Sequence, residues 1–370
     1  MRWLAVAALA AAAACTPRSP LARTGPWSVE LATRGVDAPV HRIPALAVTT
    51  RGTLIAAWDA RPTLADVPSH IRVVMRRSHD GGRRWEALRT VRADSAPLGF
   101  GDPSLLVDRT TRRVFLFHAA SVQQGFFGGA TGARDDDPAV LHADLSWSDD
   151  EGLSWSHRRL TSRIKDATWG GFFASSGAGV QLRSGRLLQP FVIRKDGATW
   201  AAVLRSDDHG EQWRMGALVG PGLDEFEVVE RSDGTVMLNS RAKPFRLVAT
   251  STDGGETFTT PRADPALPDP ANNASLVRVD PLAPAGSARA RQMVFSNTAD
   301  TARRANLTVR LSCDDGATWH ASRVLVPGPA AYSTLVMLPG DDVGVLYEHG
   351  AYAGITFARL PLRDIGRCRD

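Results

Sequence analysis

The sequence predicts an all-β protein and, within that class, a β-propeller. The eight-residue pattern Ser-x-Asp-x-Gly-x-x-Trp occurs five times, with one Phe for Trp, at intervals of roughly 45 to 70 residues, a spacing typical of one four-stranded blade per repeat. Strand-length apolar runs bounded by Gly or Asp lie between the copies, for example at residues 53–58, 113–117 and 343–347. No stretch keeps a helical period over three turns, and 33 Gly and 23 Pro also disfavour helical repeats.

Each copy of the pattern, called a box below, predicts a tight turn. The Asp carboxylate accepts backbone N–H groups, Gly supplies a positive φ, and Ser adds a second local hydrogen bond. The aromatic residue is expected to anchor the turn in an apolar seam between sheets. We interpret the boxes as framework rather than as active site. They begin at Ser78, Ser148, Ser206, Ser251 and Ser312, and the fourth ends in Phe258 instead of Trp.

Composition and charge narrow the class of protein. The net charge of +5 and pI near 9.5 are modest, and Lys and Arg are scattered, so we expect no nucleic-acid partner, whereas an acidic small molecule or glycan fits well. The chain has no HExxH, CxxC or GxxxxGK motif, and the acids at 135–137 lack the spacing of a calcium loop, so no metal site is predicted. Residues 28–370 are predicted to form one domain.

The first 15 residues predict an export signal. One positive charge at Arg2 precedes a short run of Ala, Val and Leu that ends at Cys15. Cys15 after three alanines resembles a lipoprotein cleavage site, although Ala12 stands where Leu is usual; ordinary cleavage nearby is the alternative. Residues 16–27 predict a short tether. We therefore expect an exported protein, secreted or lipid-anchored at the cell envelope, that meets a membrane only through such an anchor.

The cysteine count agrees with export. The three cysteines are an odd number, and removal or acylation of Cys15 leaves Cys313 and Cys368. These two can pair in an oxidising compartment, which would tie the C-terminal tail to the last box. Two unpaired thiols are the alternative.

The segment Arg42-Ile43-Pro44, upstream of the boxes, carries a second kind of signal. An Arg-Ile-Pro motif followed by several such boxes resembles the bacterial exo-α-sialidase (neuraminidase) family, glycoside hydrolase family 33, from about residue 40 to the C-terminus. The resemblance implies a six-bladed β-propeller that cleaves terminal α-linked sialic acid from glycans or glycolipids with net retention. It implies no metal or organic cofactor, and we expect a monomer.

The resemblance also implies three arginines that bind the sialic acid carboxylate. They are Arg42 of the Arg-Ile-Pro motif, Arg241 at the end of a Leu-Asn-x-Arg segment, and Arg304 before an Asn-Leu-Thr strand. Arg303 is adjacent, but the spacing of the family favours Arg304. A guanidinium suits this task because it is planar, bidentate and charged at every working pH. Glu348 matches a position that orients Arg42.

The nucleophile implied by the resemblance is Tyr332, in a Tyr-Ser-x-Leu pattern, and the base that activates it is Glu225. A neutral phenol can approach an anomeric carbon that bears a carboxylate, whereas Asp or Glu would be repelled. A phenol with a pKa of about 10 needs a base to become nucleophilic. Glu227 and Glu230 are the alternatives to Glu225. The other tyrosines, Tyr347 and Tyr352, are interpreted as structural.

Two aspartates compete for the role of general acid and base. The family has this residue on a flexible loop about two dozen residues after the Arg-Ile-Pro arginine, which selects Asp66 over Asp59. An Asp in a partly desolvated loop can keep a proton for the leaving oxygen. Asp59 is then expected to orient the site, and Arg61 and Asp102 match positions near the C4 hydroxyl and N-acetyl groups.

Four aromatic residues complete the candidates, either for the acetamido or aglycone pocket or, alternatively, for core packing: Phe126, Phe127, Trp169 and Phe173.

Two further interpretations stay open at this stage. A trans-sialidase, or a hydrolase of a related nonulosonic acid, would use the same chemistry. A non-catalytic box propeller that binds glycans would share the framework, but it would lack some of the principal site residues, all of which have a candidate here.

Overall fold

The computed structural model describes residues 25–368, and their regular secondary structure is almost entirely β-strand, as predicted. The predicted signal at residues 1–15, with Cys15, and the tether up to residue 24 lie outside the described residues. Three short helical segments are described, an α-helix at Thr161–Ile164 and 3₁₀ helices at Arg289–Arg291 and Leu362–Asp364. Within residues 25–368, no helix is long and apolar enough to cross a membrane.

The strands, in chain order, are β1 (Trp27–Thr33), β2 (Val40–Val48), β3 (Leu54–Arg61), β4 (Arg72–Ser78), β5 (Arg89–Arg92), β6 (Gly99–Val107), β7 (Val114–Ser121), β8 (His142–Ser148), β9 (Ser156–Arg159), β10 (Phe172–Ala174), β11 (Gly177–Ala178), β12 (Val180–Gln181), β13 (Leu187–Lys195), β14 (Ala198–Ser206), β15 (Arg214–Met215), β16 (Phe226–Glu230), β17 (Val236–Ser240), β18 (Phe245–Ser251), β19 (Arg262–Pro268), β20 (Ser275–Arg278), β21 (Met293–Thr298), β22 (Ala305–Ser312), β23 (Ala321–Leu338), β24 (Asp342–His349) and β25 (Gly354–Pro361).

The described strands form five sheets of consecutive, mainly antiparallel strands. Two are four-stranded, β2-β3-β4-β5 and β16-β17-β18-β19, and two are five-stranded, β11-β6-β7-β8-β9 and β10-β13-β14-β15 with β12 also on β13. The fifth has seven strands in the order β1-β25-β24-β23-β22-β21-β20. Such repeated up-and-down sheets are the arrangement of a propeller-like fold.

The long strand β23 explains the size of the seven-stranded sheet. Its first half pairs with β22 and its second half, from Ala330 to Leu338, pairs with β24. The sheet therefore consists of two four-stranded meanders that share one strand. The N-terminal strand β1 pairs with β25 and completes the outer edge, so the two ends of the described chain are joined in one sheet.

The first strands of the meanders surround a mainly apolar central cavity of about 340 Å³. Its lining comes from residues of these strands, for example Leu46, Leu105, Val229, Leu276 and Met337. Arg42, Asp102, Glu225 and Tyr332 each come shortly before a lining residue in the sequence, namely Leu46, Leu105, Glu227 and Leu335, so they lie towards one end of the cavity.

The box turns form as predicted. Each lies between the third and fourth strands of a meander, at the end opposite to Arg42. In all five, the Ser hydroxyl donates to the Asp Oδ1 at 2.7–3.0 Å and accepts the Gly N–H at 2.7–2.9 Å. The five glycines have φ between 77° and 92°. The meander that ends in β1 has no box because β25 and β1 are not consecutive, so no turn joins them.

The box aromatics pack between neighbouring sheets, which confirms the prediction for this residue. Trp85 contacts Phe357 of β25 with ring centroids 5.3 Å apart. Trp213 contacts Phe115 and Phe117 of β7 at 5.7 and 5.1 Å. Each box thus fixes the position of one sheet against the next.

Cys313 and Cys368 form a disulfide with a Cα–Cα distance of 5.6 Å. The bond ties the C-terminal segment to the turn after β22. Of the two alternatives left by the sequence, the structure contains the paired one.

Candidate active site

Backbone irregularities place three of the candidate side chains at the end of the cavity. Register slips interrupt β2–β3 between Arg42 and Ala45, β6–β7 between Gly101 and Ser104, and β23–β24 between Ala330 and Ser333. Such bulges turn a side chain out of the regular alternation and are common beside active sites. They present Arg42, Asp102 and Tyr332, respectively.

The sequence explains two of these slips. Pro44 and Pro103 have no N–H to continue the ladder, and the residues before them, Ile43 and Asp102, have φ of 60° and 59°. The Arg-Ile-Pro motif therefore supplies one arginine and also contains the bulge of β2 that presents it.

Glu348 lies beneath two of these bulges and is fully buried. Its Oε1 accepts from Arg42 Nε at 3.2 Å and from the backbone N–H of Ile43 at 2.8 Å. Its Oε2 accepts from the backbone N–H of Tyr332 at 3.1 Å. One carboxylate thus binds the side chain of Arg42 and also the displaced backbone of β2 and β23.

Tyr332 and Glu225 are in direct contact, although 107 residues separate them. The Tyr332 hydroxyl donates to Glu225 Oε2 in a short hydrogen bond. Arg241 Nη1 donates to the same carboxylate oxygen and to the Tyr332 oxygen, the latter at 2.5 Å, while Arg241 Nη2 pairs with Asp224 at 2.8 Å. Burial raises the pKa of Tyr332, Arg241 opposes the rise, and Glu225 adds to it. The phenol is therefore neutral at rest and contacts a carboxylate that can accept its proton.

The three candidate arginines surround the ring of Tyr332. The guanidinium carbons of Arg42 and Arg304 are each 5.3 Å from the ring centroid, and Arg241 contacts the hydroxyl. Arg42 Nη2 and Arg241 Nε are buried donors without a protein partner. Guanidinium groups that converge on one point and have unpaired N–H donors can bind a carboxylate. Arg303 is 83% exposed and faces Asp300 at 3.9 Å, so Arg304 is the one that reaches the site.

Tyr352, interpreted from the sequence as structural, contacts two arginines of this cluster. Its ring lies 4.5 Å from the guanidinium carbon of Arg42, and its hydroxyl accepts from Arg304 Nη1 at 3.2 Å. The residue has φ of 68° in the turn after β24. The only sequence feature that indicates a place for Tyr352 near the arginines is its short distance along the chain from Glu348.

Asp59, Arg61 and Asp66 form a second group in the site. Asp59 is fully buried, and its Oδ2 accepts from Arg61 Nε at 3.0 Å and Nη2 at 2.7 Å. Burial raises the pKa of Asp59 to about 6, against the opposing effect of Arg61. Arg61 Nη1 also donates to Asp66 at 2.6 Å. The side chain of Asp66 is 69% exposed on the loop after β3, so the expectation of a partly desolvated loop was wrong for this structure.

Asp102 lies between the two groups. Its backbone N–H donates to Asp59 Oδ1 at 3.2 Å. Burial raises the pKa of Asp102 well above its ordinary value, Asp59 and Asp66 add to the rise, Arg61 opposes it, and Glu225 contributes a smaller increase. A half-buried carboxyl of this kind can accept or donate a hydrogen bond to a neutral hydroxyl.

The alternatives to Glu225 lie elsewhere. Glu227 lines the central cavity, its Oε1 has no protein partner, and burial raises its pKa. Glu230, further along β16, accepts from the backbone N–H of Arg183 at 2.8 Å. No hydrogen bond joins either residue to Tyr332.

Three of the four aromatic candidates pack in the core, and the fourth is exposed to solvent. Trp169 and Phe173 are buried in the core, and Phe126 packs on Phe173 with ring centroids 5.1 Å apart. Phe127 is 76% exposed. Core packing thus describes the first three better than a role as pocket lining.

Comparison with known proteins identifies the family of the chain. Residues 52–345 match the family model described as BNR repeat-like domain. The chain is 47% identical to a sialidase of Micromonospora viridifaciens over 91% of its own length and 54% of the relative's. It is 32% identical to a sialidase of Bacteroides fragilis (strain YCH46), with 89% and 63% covered. The chain thus spans about half to two thirds of the length of these curated relatives.

A solved structure gives the same result for the fold. The Hadza microbial sialidase Hz136 superposes with a TM-score of 0.84 and 30% identity, over 91% of this chain and 69% of that one. The fold is therefore the all-β, propeller-like sialidase fold, and the chain belongs to the sialidase family built on BNR repeats.

Proposed function

We propose that this protein is a retaining exo-α-sialidase that hydrolyses terminal α-linked sialic acid through a tyrosyl-linked intermediate. The observation that carries the proposal is the contact between the Tyr332 hydroxyl and Glu225 inside a cluster of three arginines. A buried phenol held against a carboxylate is the arrangement of an activated nucleophile. The family relationship supports the choice of substrate.

In the first half-reaction, Arg42, Arg241 and Arg304 bind the substrate carboxylate. Glu225 accepts the phenolic proton as the Tyr332 oxygen attacks the anomeric carbon. Asp66 gives a proton to the leaving oxygen as the glycosidic bond breaks. The positive charge that develops on the flattened sugar is offset by the substrate's own carboxylate and by the surrounding carboxylates.

In the second half-reaction, water enters from the side vacated by the leaving group. Asp66 removes a proton from this water, the new C–O bond forms, and the bond to Tyr332 breaks. Glu225 returns its proton to the phenolate. Two displacements at the same carbon give net retention.

Asp66 is the better candidate for the acid because of its access to the substrate. Both oxygens of Asp59 are occupied, by Arg61 and by the backbone of Asp102, and its side chain is inaccessible to solvent. Asp66 has one ion pair, with Arg61, and an otherwise open side chain on a loop. A bound aglycone would cover this loop and supply the desolvation that the free enzyme lacks.

We propose six blades for the propeller. The seven-stranded sheet counts as two meanders that share β23, which adds to the four other sheets. The central cavity supports this count, because β2, β6, β12, β16, β20 and β23 each contribute to its wall.

We also propose that the protein is exported and acts as a monomer on sialylated glycans or glycolipids, with any membrane attachment through Cys15. The disulfide between Cys313 and Cys368 supports an oxidising compartment.

The test is release of fluorophore from 4-methylumbelliferyl sialoside by the wild type and by Tyr332→Phe. Tyr347→Phe is the matched control, since Tyr347 is also a buried tyrosine but lies outside the arginine cluster. The proposal expects release by the wild type and the control, and a loss of about 10³-fold or more for Tyr332→Phe. No release by the wild type, or full activity of Tyr332→Phe, would refute it.

Product analysis in the same assay distinguishes sialic acid hydrolysis from the alternative functions. Added lactose would collect the sialyl group if the protein were a trans-sialidase, and a deaminated substrate would be preferred by a hydrolase of related nonulosonic acids. A glycan-binding propeller without activity would bind sialyllactose but release nothing.

A further inference from the structure

Two adjacent serines between β10 and β11 contact the neighbouring sheet next to the proposed base. Ser175 Oγ accepts from the backbone N–H of Phe226 at 2.9 Å and donates to the Phe226 carbonyl at 2.8 Å. Ser176 Oγ donates to Glu225 Oε1 at 3.0 Å. Both serines are buried, so these hydrogen bonds form away from water. One serine thus fixes the backbone after Glu225, and the other fixes its side chain.

Ser176 is itself held in place. Its carbonyl accepts from Asn273 Nδ2 at 2.8 Å, and Asn273 is almost completely buried. The next residue, Gly177, has φ of 116°, and a Cβ there would lie 2.7 Å from Glu227 Oε1. Segments from three neighbouring sheets therefore determine the position of one hydroxyl.

The two oxygens of Glu225 have different partners. Oε2 contacts the Tyr332 hydroxyl and Arg241 Nη1, whereas Ser176 is the described donor to Oε1. Loss of the contact to Oε1 would allow the carboxylate to rotate and would leave a buried acceptor unpaired. The contact therefore fixes which oxygen faces Tyr332.

We propose that Ser176 is a positioning residue that directs the phenolic proton to Oε2 of Glu225. This inference rests on the proposed function. When Glu225 is ionised, Ser176 donates to one of its two equivalent oxygens. When Oε2 carries the proton from Tyr332, Oε1 is a carbonyl oxygen that still accepts from Ser176. The same hydrogen bond thus serves both protonation states, and the proton remains beside the oxygen to which it must return.

Removal of the hydroxyl has two kinetic consequences. The base is held less firmly, so kcat falls. Binding of the sugar carboxylate changes little, because Arg241 keeps its ion pair with Asp224 and the other two arginines do not contact Glu225. The ionised form of Glu225 also loses a donor, which makes protonation easier, so the acid limb of the pH–rate profile moves to higher pH. A purely structural role would not move this limb.

The experiment compares Ser176→Ala and the near-isosteric Ser176→Cys with the wild type. Ser146→Ala is the control, because Ser146 of β8 is also fully buried and hydrogen-bonded, to His118 of β7 and His157 of β9. We expect both Ser176 variants to lose about 10- to 100-fold in kcat, with the acid limb shifted upward. Affinity for a 2,3-unsaturated sialic acid, measured by calorimetry, should stay within about threefold. The cysteine variant carries the test if the alanine variant does not fold.

The outcomes separate this inference from the proposed function. If the wild type and Ser146→Ala release no fluorophore, the proposed function fails. If they are active and a folded Ser176 variant has the same kcat and pH profile, the inference on Ser176 fails alone. A Ser176 variant that loses kcat and affinity together, with no shift of the acid limb, also contradicts the positioning role.

Discussion

The buried carboxylate of Glu348 accepts the backbone N–H of Tyr332 at 3.1 Å. The same carboxylate binds Arg42 Nε at 3.2 Å, so the proposed nucleophile and the first arginine share one anchor. Because Glu348 is inaccessible to solvent, no water can replace either contact without rearrangement.

The first prediction concerns this anchor. Glu348→Gln keeps the shape but removes the charge that pairs with Arg42, so we expect the free energy of unfolding to fall by about 3 kcal/mol and KM to rise about 10-fold. Urea denaturation and initial rates measure the two effects. Glu211→Gln breaks the exposed pair with Arg113 and should cost at most about 1 kcal/mol with KM unchanged. Equal effects of the two variants would contradict the role of Glu348.

The second prediction concerns Tyr352, which links Arg42 and Arg304. Tyr352→Phe keeps the ring beside Arg42 but removes the hydrogen bond to Arg304. We expect KM to rise about 3- to 10-fold while kcat changes little, because the interaction serves binding of the carboxylate in the ground state and in the transition state alike. Steady-state kinetics beside Tyr347→Phe provide the check, and an unchanged KM would place Tyr352 outside the binding machinery.

The third prediction distinguishes Asp66 from Asp59 as the general acid. The sugar alcohol released from sialyllactose is a poor leaving group and must be protonated as the glycosidic bond breaks. The aryl alcohol released from 4-methylumbelliferyl sialoside leaves with less help from an acid. Asp66→Asn should therefore lose about 10²-fold or more in kcat on sialyllactose and clearly less on 4-methylumbelliferyl sialoside. Asp59→Asn should reduce both rates by a similar factor, because it disturbs Arg61 rather than the leaving group. The opposite pattern would assign the acid to Asp59.

The fourth prediction follows from the burial of Asp59, whose pKa is raised from 3.8 to about 6. Because the folded state binds this proton more tightly than the unfolded state, the stabilisation is complete below about pH 4 and is lost as the pH rises through 6. Between pH 4 and pH 7, this group should lower the free energy of unfolding by about 2 kcal/mol. Asp102 and Glu227, whose pKa values burial also raises, act in the same direction.

Urea denaturation at both pH values checks this sign. The loss of stability from pH 4 to pH 7 should be about 2 kcal/mol smaller in Asp59→Asn than in the wild type. Asp207→Asn changes an exposed aspartate and should keep the wild-type dependence. If Asp59→Asn also kept the wild-type pH dependence of stability, Asp59 would not be the source of that dependence.

The boxes show why part of the fold is readable from sequence. The hydrogen bonds of Ser206, Asp208 and Gly210 are made within a few residues of chain, so the pattern contains almost all the information needed for the turn. The sharing of β23 by two meanders is different, because it depends on strand pairs that form only when the chain closes. No local pattern in residues 321–338 indicates it.

The site shows the corresponding limit for function. Tyr332, Glu225 and the arginines belong to recognisable motifs, and the structure brings them together. Ser176 lies 49 residues from Glu225 and has no motif of its own, so sequence alone does not connect them. The exposure of Asp66 likewise depends on how its loop lies over Arg61, which residue spacing does not determine.

The covalent intermediate is the central claim, and trapping it is the most direct test. A 2,3-difluorinated sialic acid reacts with a retaining enzyme, and the fluorine at C3 slows release of the bound sugar. Mass spectrometry of the treated wild type should find one sialyl adduct, and peptide mapping should assign it to Tyr332, with no adduct on Tyr332→Phe. An adduct on Glu225 or Asp66, or active protein that never forms an adduct, would contradict the account.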